Sequence, residues 1–358
     1  MDVASVCVVG ACGFAGMELC RLVLGHPGME LRMATDRKAA GTRLADVHPA
    51  FEGATDIVLS QPDPELIAGS CALAFLAVPH TASLSLTPRL LELGVSIVDL
   101  SADFRLRDPV TYEAWYGTPH TSTDLLHEAV YGLPELNRAG LQGLAARRVD
   151  GEPVLVAAPG CYPTATALAA MPALESGIAT GDLVISDAIS GVSGAGRAAT
   201  ERTHFCHANE SVEAYGVAKH RHTPEMEQTL SDVAGRPMGV VFTPHLAPLT
   251  RGLLATVYLE AAEGVRSQDV QAAYERRYAN EPLVSVLPAG HMPATASVAG
   301  SGRAQVGVAL SVRRRPMIVA SCAIDNLGKG AAAQAVQCAN LVLGLPEAEG
   351  IRAPAPLI

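Results

Sequence analysis

The apolar, β-branched run Val3–Val9 leads straight into Gly10-Ala11-Cys12-Gly13-Phe14-Ala15-Gly16, and this junction constrains the fold more than any other stretch. A buried-type strand turns through three spaced glycines into the helical segment Met17–Leu24. The strand Glu30–Thr35 follows, which makes the opening of a parallel βαβ unit. The spacing, G-x-x-G-x-x-G, is a variant of the dinucleotide fingerprint. Glycines there let the backbone approach a pyrophosphate, which rests on the helix N-terminus. Gly10, Ala11, Gly13, Phe14, Ala15 and Gly16 are therefore the expected cradle. Glycine-rich turns are common in α/β proteins, so the motif takes its weight from the strand before it and the helix after it.

The rest of the first half keeps that rhythm. Ala72–Val78 and Val95–Leu100 are continuous apolar runs, the mark of central parallel strands. Thr81–Leu93 between them has helical spacing and stops at Gly94. From Asp103 to Leu133-Pro134 the pattern reads as polar and aromatic loop, and Ala139–Pro153 as a surface connection. The second half differs. Leu183–Ile189, Val240–Pro244, Leu253–Glu260, Val306–Val312 and Ile318–Ile324 read as strands, with helices at Pro224–Val233, Ser267–Tyr278 and Lys329–Leu343. Longer loops separate them, as in a mixed-sheet α+β domain. The expected fold class is α/β: a Rossmann-type dinucleotide-binding domain over residues 1–158 and 327–358, and an α+β mixed-sheet domain over 159–326 for substrate, catalysis and oligomerisation.

A second junction carries chemistry. Val154–Ala158 ends in Pro159-Gly160-Cys161-Tyr162-Pro163-Thr164, and a helix begins just after. Cys161 thus lies at a helix N-terminus, where unpaired N–H groups and the positive end of the dipole favour thiolate over thiol. A thiolate held there can attack an acyl carbon and carry a thioester. A cysteine chosen blindly is most often a packing residue. This one sits between Gly and Tyr-Pro at a turn, where bulk is not what the backbone wants, so the nucleophile is the preferred reading. A bound dinucleotide beside such a cysteine suggests hydride exchange with a covalent thioester.

Composition bounds the partners. A formal charge of −10 and a pI near 5.5 argue against nucleic acid, and 4% aromatics leave few stacking platforms. No apolar run reaches membrane-spanning length, and the N-terminus has neither a basic leader nor an Arg-rich transit pattern, so a cytoplasmic protein with no membrane partner is expected. Cys7, Cys12, Cys20, Cys71, Cys161, Cys206, Cys322 and Cys338 are spread thinly, which suits reduced thiols rather than a disulfide framework. His204, Cys206 and His207 match no common zinc spacing, so no metal is expected.

These residues together resemble the N-acetyl-gamma-glutamyl-phosphate reductases, arginine-pathway relatives of aspartate-semialdehyde dehydrogenase. The resemblance runs almost end to end. Its segments are Gly10–Gly16, Val98-Asp99-Leu100-Ser101-Ala102-Asp103-Phe104-Arg105, Val130–Glu135, Pro159–Thr164, Ser190-Gly191-Val192-Ser193-Gly194-Ala195-Gly196-Arg197, His220-Arg221-His222-Thr223-Pro224-Glu225 and Asp325–Ala332. It implies NADPH-dependent reduction of N-acetyl-5-glutamyl phosphate to its semialdehyde, with phosphate released from a Cys161 thioester.

The resemblance also places the acid–base histidine in the His-Arg-His segment. His220 is the first choice and His222 the reserve, on the substrate side, since residues two apart in an extended segment face one way. Substrate oxyanions call for arginine forks, with Arg105 and Arg197 as candidates. Backbone amides in Gly191–Gly196, at Ser193 and Gly194 in particular, would form an anion nest. Ser101 and Asn326 are expected near the cofactor, with Gly328, Lys329 and Gly330 beside Asn326; the alternative for Lys329 is a solvated surface lysine. Asp36 ends the second strand, where an acid binds NAD ribose hydroxyls. Arg37 follows it, ready for a 2′-phosphate, and NADP with Arg37 as contact is the expectation. A homo-oligomer, dimer or tetramer, acting on a small molecule completes the reading. Alternatives are an aspartyl-phosphate or carrier-bound aminoacyl-phosphate reductase, or a non-catalytic dinucleotide sensor.

Overall fold

A computed structural model describes residues 3–356. The chain divides into two compact units, Met1–Pro159 with Ala331–Ile351, and Gly160–Gly330 with Arg352–Ile358.

The first unit is built on six parallel strands: β1 Ala4–Val9, β2 Met29–Thr35, β3 Leu73–Leu76, β4 Ser96–Asp99, β5 Val130–Tyr131 and β6 Leu155–Ala157. Their order is β2-β1-β3-β4-β6-β5. The sequence of strands reverses direction between β1 and β3, and in doubly wound sheets that switch point is where ligands bind, outside the carboxyl ends of the strands. Every residue of β3 and β4 is buried, as expected for central strands covered on both faces. The helix Phe14–Leu24 packs on β1 and β2, and Ala82–Glu92 on β4. The fold class expected from the sequence is the one observed.

Two segments read as loops are helical. Pro109–Tyr116 is a helix because Asp108 caps it, accepting from Val110 N and Thr111 N at 3.1 Å each, with proline at the first helical position. Its sequence, rich in β-branched and aromatic residues, hides that signal. Pro134–Val149 is a 16-residue helix, again opened by proline, with Arg147 and Arg148 at its negative end. Gly140 and Gly143 weaken its helical pattern, and Asn137 is non-helical because its side chain turns back to donate to Tyr131 O at 3.0 Å.

The second unit carries a seven-stranded mixed sheet: β7 Ala179–Gly191, β8 Glu213–Ala214, β9 Gly239–Ala247, β10 Leu253–Ala261, β11 Val284–Val286, β12 Ala304–Ser311 and β13 Met317–Ile324. The order is β11-β12-β13-β10-β7-β9-β8. Alternation along β10 buries Leu253, Ala255, Val257 and Leu259 on the face that meets the helix Cys161–Glu175. Leu254, Thr256 and Tyr258 stand on the other face, opposite Ile189, Asp187 and Ile185 of β7. That second face leaves Leu183, Ile185 and Val241 exposed.

The helix Cys161–Glu175 is buried at every residue from Tyr162 to Leu174, as an all-round apolar sequence requires. Pro172 lies inside it and brings no N–H to Leu168 O. The hydroxyl of Tyr278 fills that gap, donating to Leu168 O at 2.6 Å, while Tyr274 donates to Ala169 O at 2.6 Å. Tyr278→Phe orphans a buried carbonyl and is expected to cost about 1–3 kcal/mol. Tyr274→Phe should cost less, because helical spacing still brings Ala173 N–H to Ala169 O. Urea unfolding of the two variants measures the difference, and equal losses would contradict this account.

Candidate active site

The glycine-rich turn folds as the sequence indicates, but its glycines serve different ends. Gly10 N and Ala11 N donate to Thr35 O at 2.9 and 3.0 Å, tying the turn to the end of β2. Gly10 has φ +86°, and a Cβ there would strike Ala77 O. A Cβ on Gly16 would strike Gly10 O and lie 2.9 Å from Ala11 Cα. Gly13, the N-cap of Phe14–Leu24, has an ordinary φ of −73°, and the nearest atom to its Cβ would be Gly10 O at 3.6 Å. Neither backbone strain nor protein packing requires glycine at Gly13. Gly13 caps a helix whose N-terminal N–H groups suit a pyrophosphate, so the residues present fit a dinucleotide.

At the end of β2, Asp36 Oδ1 accepts from Lys38 N and Ala39 N at 2.9 and 3.1 Å. The carboxylate closes an Asx turn that leaves Arg37 and Lys38 exposed. Ser101 is buried in a network: its hydroxyl donates to Asp99 Oδ2 at 2.7 Å and accepts from Asp103 N at 3.1 Å. Burial pushes the Asp99 carboxyl up to about 6. Arg105 is buried too, and its Nε and Nη2 donate to the carbonyls of Ala158 and Leu100 at 2.8 and 2.7 Å. It braces the ends of β4 and β6.

In the second unit Cys161 is the first residue of its helix, after the N-cap Gly160. The buried Glu225 accepts from Gly160 N at 2.8 Å and so ties this turn to the helix Thr223–Ala234. Gly330 closes over the cysteine: a Cβ on it would lie 2.8 Å from Cys161 Cβ. Tyr162, next in sequence, is the ring on which both histidines pack. His220 meets it edge-on at 5.5 Å and 89°, and His222 at 6.0 Å and 66°, with 4.9 Å between the imidazoles. Phe242 and Tyr215 complete the wall around His220 at 5.3 and 5.6 Å. His220 Nδ1 accepts from His222 N at 3.2 Å, which puts the proton of the neutral ring on Nε2. Burial, then the charge of Arg221, lowers His220 to about 4. The Tyr215 hydroxyl, 3.0 Å from that of Tyr162, is pushed up to about 12 chiefly by burial, with the charge of Cys161 adding to the effect.

The Gly191–Gly196 segment is not an open row of amides. Gly191 N, Val192 N and Ser193 N donate to the carbonyls of Gly252, Leu249 and Thr250. The 3-10 turn Val192–Ala195 uses the amides of Gly194 and Ala195 internally, and Gly196 N donates to Ser193 O. Arg197 follows on the exposed side. Asn326 holds this turn, donating from Nδ2 to Ser193 Oγ at 2.9 Å and accepting from Gly252 N at 2.8 Å. Lys329 is fully buried, not a solvated surface lysine. His204 caps the short helix Phe205–Ala208 and His207 lies within it, and no group of three or more His, Cys, Asp or Glu able to hold a metal occurs among the described residues.

Sequence reasoning missed Arg251 and its link to Asp325. Arg251, in the β9–β10 loop, donates from Nε to Asp325 Oδ2 at 2.8 Å. Asp325 is wholly buried. The Asp-Asn pair at the end of β13 was legible as a motif, but no local pattern links it to an arginine 74 residues earlier.

A parallel dinucleotide unit joined to a mixed-sheet unit that opens on a cysteine defines an oxidoreductase of the semialdehyde dehydrogenase class. Residues 5–144 match the family model "Semialdehyde dehydrogenase, NAD binding domain", and 161–326 match "Semialdehyde dehydrogenase, dimerisation domain". The fold is that of aspartate semialdehyde dehydrogenase II from Vibrio cholerae, with TM-score 0.72 at 15% identity over 96% of this chain and 99% of that one. The Candida albicans aspartate semialdehyde dehydrogenase with NADP gives 0.70 at 16% identity, over 95% and 98%.

Sequence relatives are more specific. An N-acetyl-gamma-glutamyl-phosphate reductase of Halorhodospira halophila is 47% identical over 96% of both chains, and one of Symbiobacterium thermophilum 46% identical over 98% of both. This chain belongs to the N-acetyl-gamma-glutamyl-phosphate reductase family.

The two kinds of glycine can be separated experimentally. Gly13→Ala is expected to leave the unfolding midpoint unchanged and to weaken NADP binding, whereas Gly16→Ala should lower both. Calorimetric binding and thermal unfolding of each variant test this. Normal NADP affinity in Gly13→Ala would remove the pyrophosphate from that turn.

Proposed function

We propose that the chain reduces N-acetyl-gamma-glutamyl phosphate to N-acetyl-glutamate semialdehyde with NADPH, through a thioester on Cys161, in arginine biosynthesis. The observation that carries this reading is the placement of Cys161 as the first residue of a buried helix, next to the ring that seats both histidines. The Cys161 sulfur attacks the acyl carbon; the S–C bond forms, the acyl C–O bond to the phosphate group breaks, and inorganic phosphate leaves with that oxygen. Helix N–H groups and the dipole stabilise the thiolate for that attack. When bound, NADPH supplies the hydride that this reduction consumes. The thioester carbonyl carbon, once reduced, bears an alkoxide, which re-forms a carbonyl and expels the Cys161 thiolate. His220, neutral with its proton on Nε2, steadies negative oxygen or sulfur by donating that hydrogen bond. His222 sets the tautomer through its backbone N–H, and its side chain would face the substrate.

Gly10, Ala11, Gly13, Phe14, Ala15 and Gly16 would hold the dinucleotide, with Arg37 on the 2′-phosphate. Asp36 is compatible with that role because one carboxylate oxygen already caps its own turn. Ser101 and Asn326 support the surrounding loops, and Ser193, Gly194 and Arg197 border the substrate. The exposed apolar face of the mixed sheet, in the region matching a dimerisation domain, supports a homo-oligomer. A cytoplasmic location fits a biosynthetic enzyme in which no described helix is long and apolar enough to cross a membrane.

Acyl phosphates are labile, so the reverse reaction is the test. N-acetyl-glutamate semialdehyde, phosphate and NADP should give phosphate-dependent formation of reduced nicotinamide, and aspartate semialdehyde should not. Activity with the aspartyl compound alone would move the substrate class. Cys161→Ser should abolish turnover and spare cofactor binding; a substantial residue of activity would exclude the thioester. Arg37→Ala should raise the Michaelis constant for NADPH far more than for NADH, and equal changes would place 2′-phosphate recognition elsewhere.

The pH dependence follows from the sign of the His220 shift. A histidine whose pKa is lowered to about 4 stays neutral throughout pH 5.5–8, so kcat/KM should show no histidine inflection near 6.5. His220→Asn should reduce kcat by roughly 10²–10⁴-fold at all these pH values. An acid limb near 6.5 that disappears in the variant would overturn the neutral-histidine account.

A further inference from the structure

The stretch 209–219 is exposed at every residue but one, and that one is Tyr215. We infer that Tyr215 is a positioning residue for His220: its ring holds the imidazole against Tyr162, and its hydroxyl locks that ring in place. The inference deepens the reading above, in which His220 donates from Nε2, and it rests on that reading.

The backbone brings the ring to the histidine. Ala214 pairs with His245 between β8 and β9, and Tyr215 N donates to Pro244 O at 3.0 Å. Gly216, at φ +57°, then turns the chain back so closely that a Cβ on it would lie 3.5 Å from His220 Cδ2. The Tyr215 ring meets the imidazole at 5.6 Å and 70°. Two further contacts fix the ring itself. Its hydroxyl lies 3.0 Å from the Tyr162 hydroxyl, which ties it to the residue that follows Cys161. The Arg202 guanidinium carbon stands 5.3 Å from the ring centroid, with Nε held by Glu213 at 2.7 Å. The charge of Cys161 opposes ionisation of both hydroxyls, so both lie within electrostatic range of the sulfur.

The other groups packed against His220 are Tyr162 from the helix Cys161–Glu175, Phe242 from β9 and His222 from its own segment, with the charge of Arg221 beside it. Tyr162 and Phe242 are buried, so the core of the unit sets their places. Tyr215 is half-buried and spends its ring on the imidazole instead. Its loss would open one wall of the histidine to water and leave the core intact. Water stabilises the imidazolium, so the histidine would then take up a proton more readily.

NMR of the full chain labelled with 13C at histidine Cε1 tests this between about pH 4.5 and 8. The His220 signal is the one lost in His220→Asn. In the wild type it should stay neutral over most of that range, as its lowered pKa of about 4 requires. Tyr215→Leu is expected to raise its titration by about one pH unit or more. His26, in the other unit, should not move. Tyr215→Phe keeps the ring and covers the case in which Tyr215→Leu does not fold. It should leave His220 neutral and, through the lost hydroxyl anchor, lower kcat of the reverse reaction roughly 3- to 10-fold at unchanged KM for NADP.

An unchanged His220 titration in Tyr215→Leu would overturn the inference, as would wild-type kcat in Tyr215→Phe or an equal displacement of His26. Absence of reverse turnover in the wild type would defeat the proposed substrate, and the His220 titration would still decide on Tyr215.

Discussion

One buried carboxylate organises the mixed-sheet unit. Asp325 sits at the end of β13 with no exposure, in surroundings where an uncompensated charge would be prohibitive. Four donors answer it: the amides of Gly300, Leu327 and Gly328, and Nε of Arg251. Each donor comes with a segment attached. The turn that leads to Gly330 against Cys161, the loop that carries Arg251, and the connection before β12 are all fixed at one point. Asn326, the next residue, extends the same device, since its amide spans Gly252 and Ser193. Removing the carboxylate would release three loops together, and no single apolar contact in the unit has that reach.

Glycine placement obeys a related economy. Gly16 and Gly330 are needed because other atoms pass too close for a methyl group, the Gly10 carbonyl in one case and Cys161 Cβ in the other. Gly10 is needed for its positive φ as well. Gly13 meets neither demand, so nothing in the protein itself accounts for glycine there. A glycine-rich motif read as a string cannot tell these cases apart; the Cβ positions can.

Much of this was legible from sequence. Continuous apolar runs gave β1, β3, β4 and β6 because those strands are buried on both faces, so each residue carries the signal. The cysteine turn was equally plain, since Pro-Gly after an apolar run and before alanine-rich helix leaves little choice of geometry. Pro109–Tyr116 escaped because its signal lies in the Asp108 cap and the N-terminal proline, and Pro134–Val149 because Gly140, Gly143 and its polar residues interrupt any apolar stripe. Arg251 escaped for another reason. Its partner is 74 residues away, and a long-range ion pair leaves no periodicity to read. The anion nest at Gly191–Gly196 was over-read: glycine and serine abundance suggested free amides, whereas tertiary pairing with Leu249, Thr250 and Gly252 had consumed them.

Cys161 and the histidines are held by different physics, and the difference explains the histidine's low pKa. Cys161 begins a helix whose following thirteen residues, Tyr162 to Leu174, are buried, so it cannot move unless the core does. His220 follows the largely exposed stretch 194–219, where main-chain anchoring is sparse. Its position is set by edge-on packing against Tyr162, Tyr215 and Phe242 and by the amide of His222. An aromatic wall orients an imidazole but solvates its charge poorly, and a donor at Nδ1 favours the neutral ring. The same contacts that place the histidine therefore keep it uncharged, and a neutral donor at Nε2 is the form that can stabilise a thiolate or an alkoxide without first losing a proton.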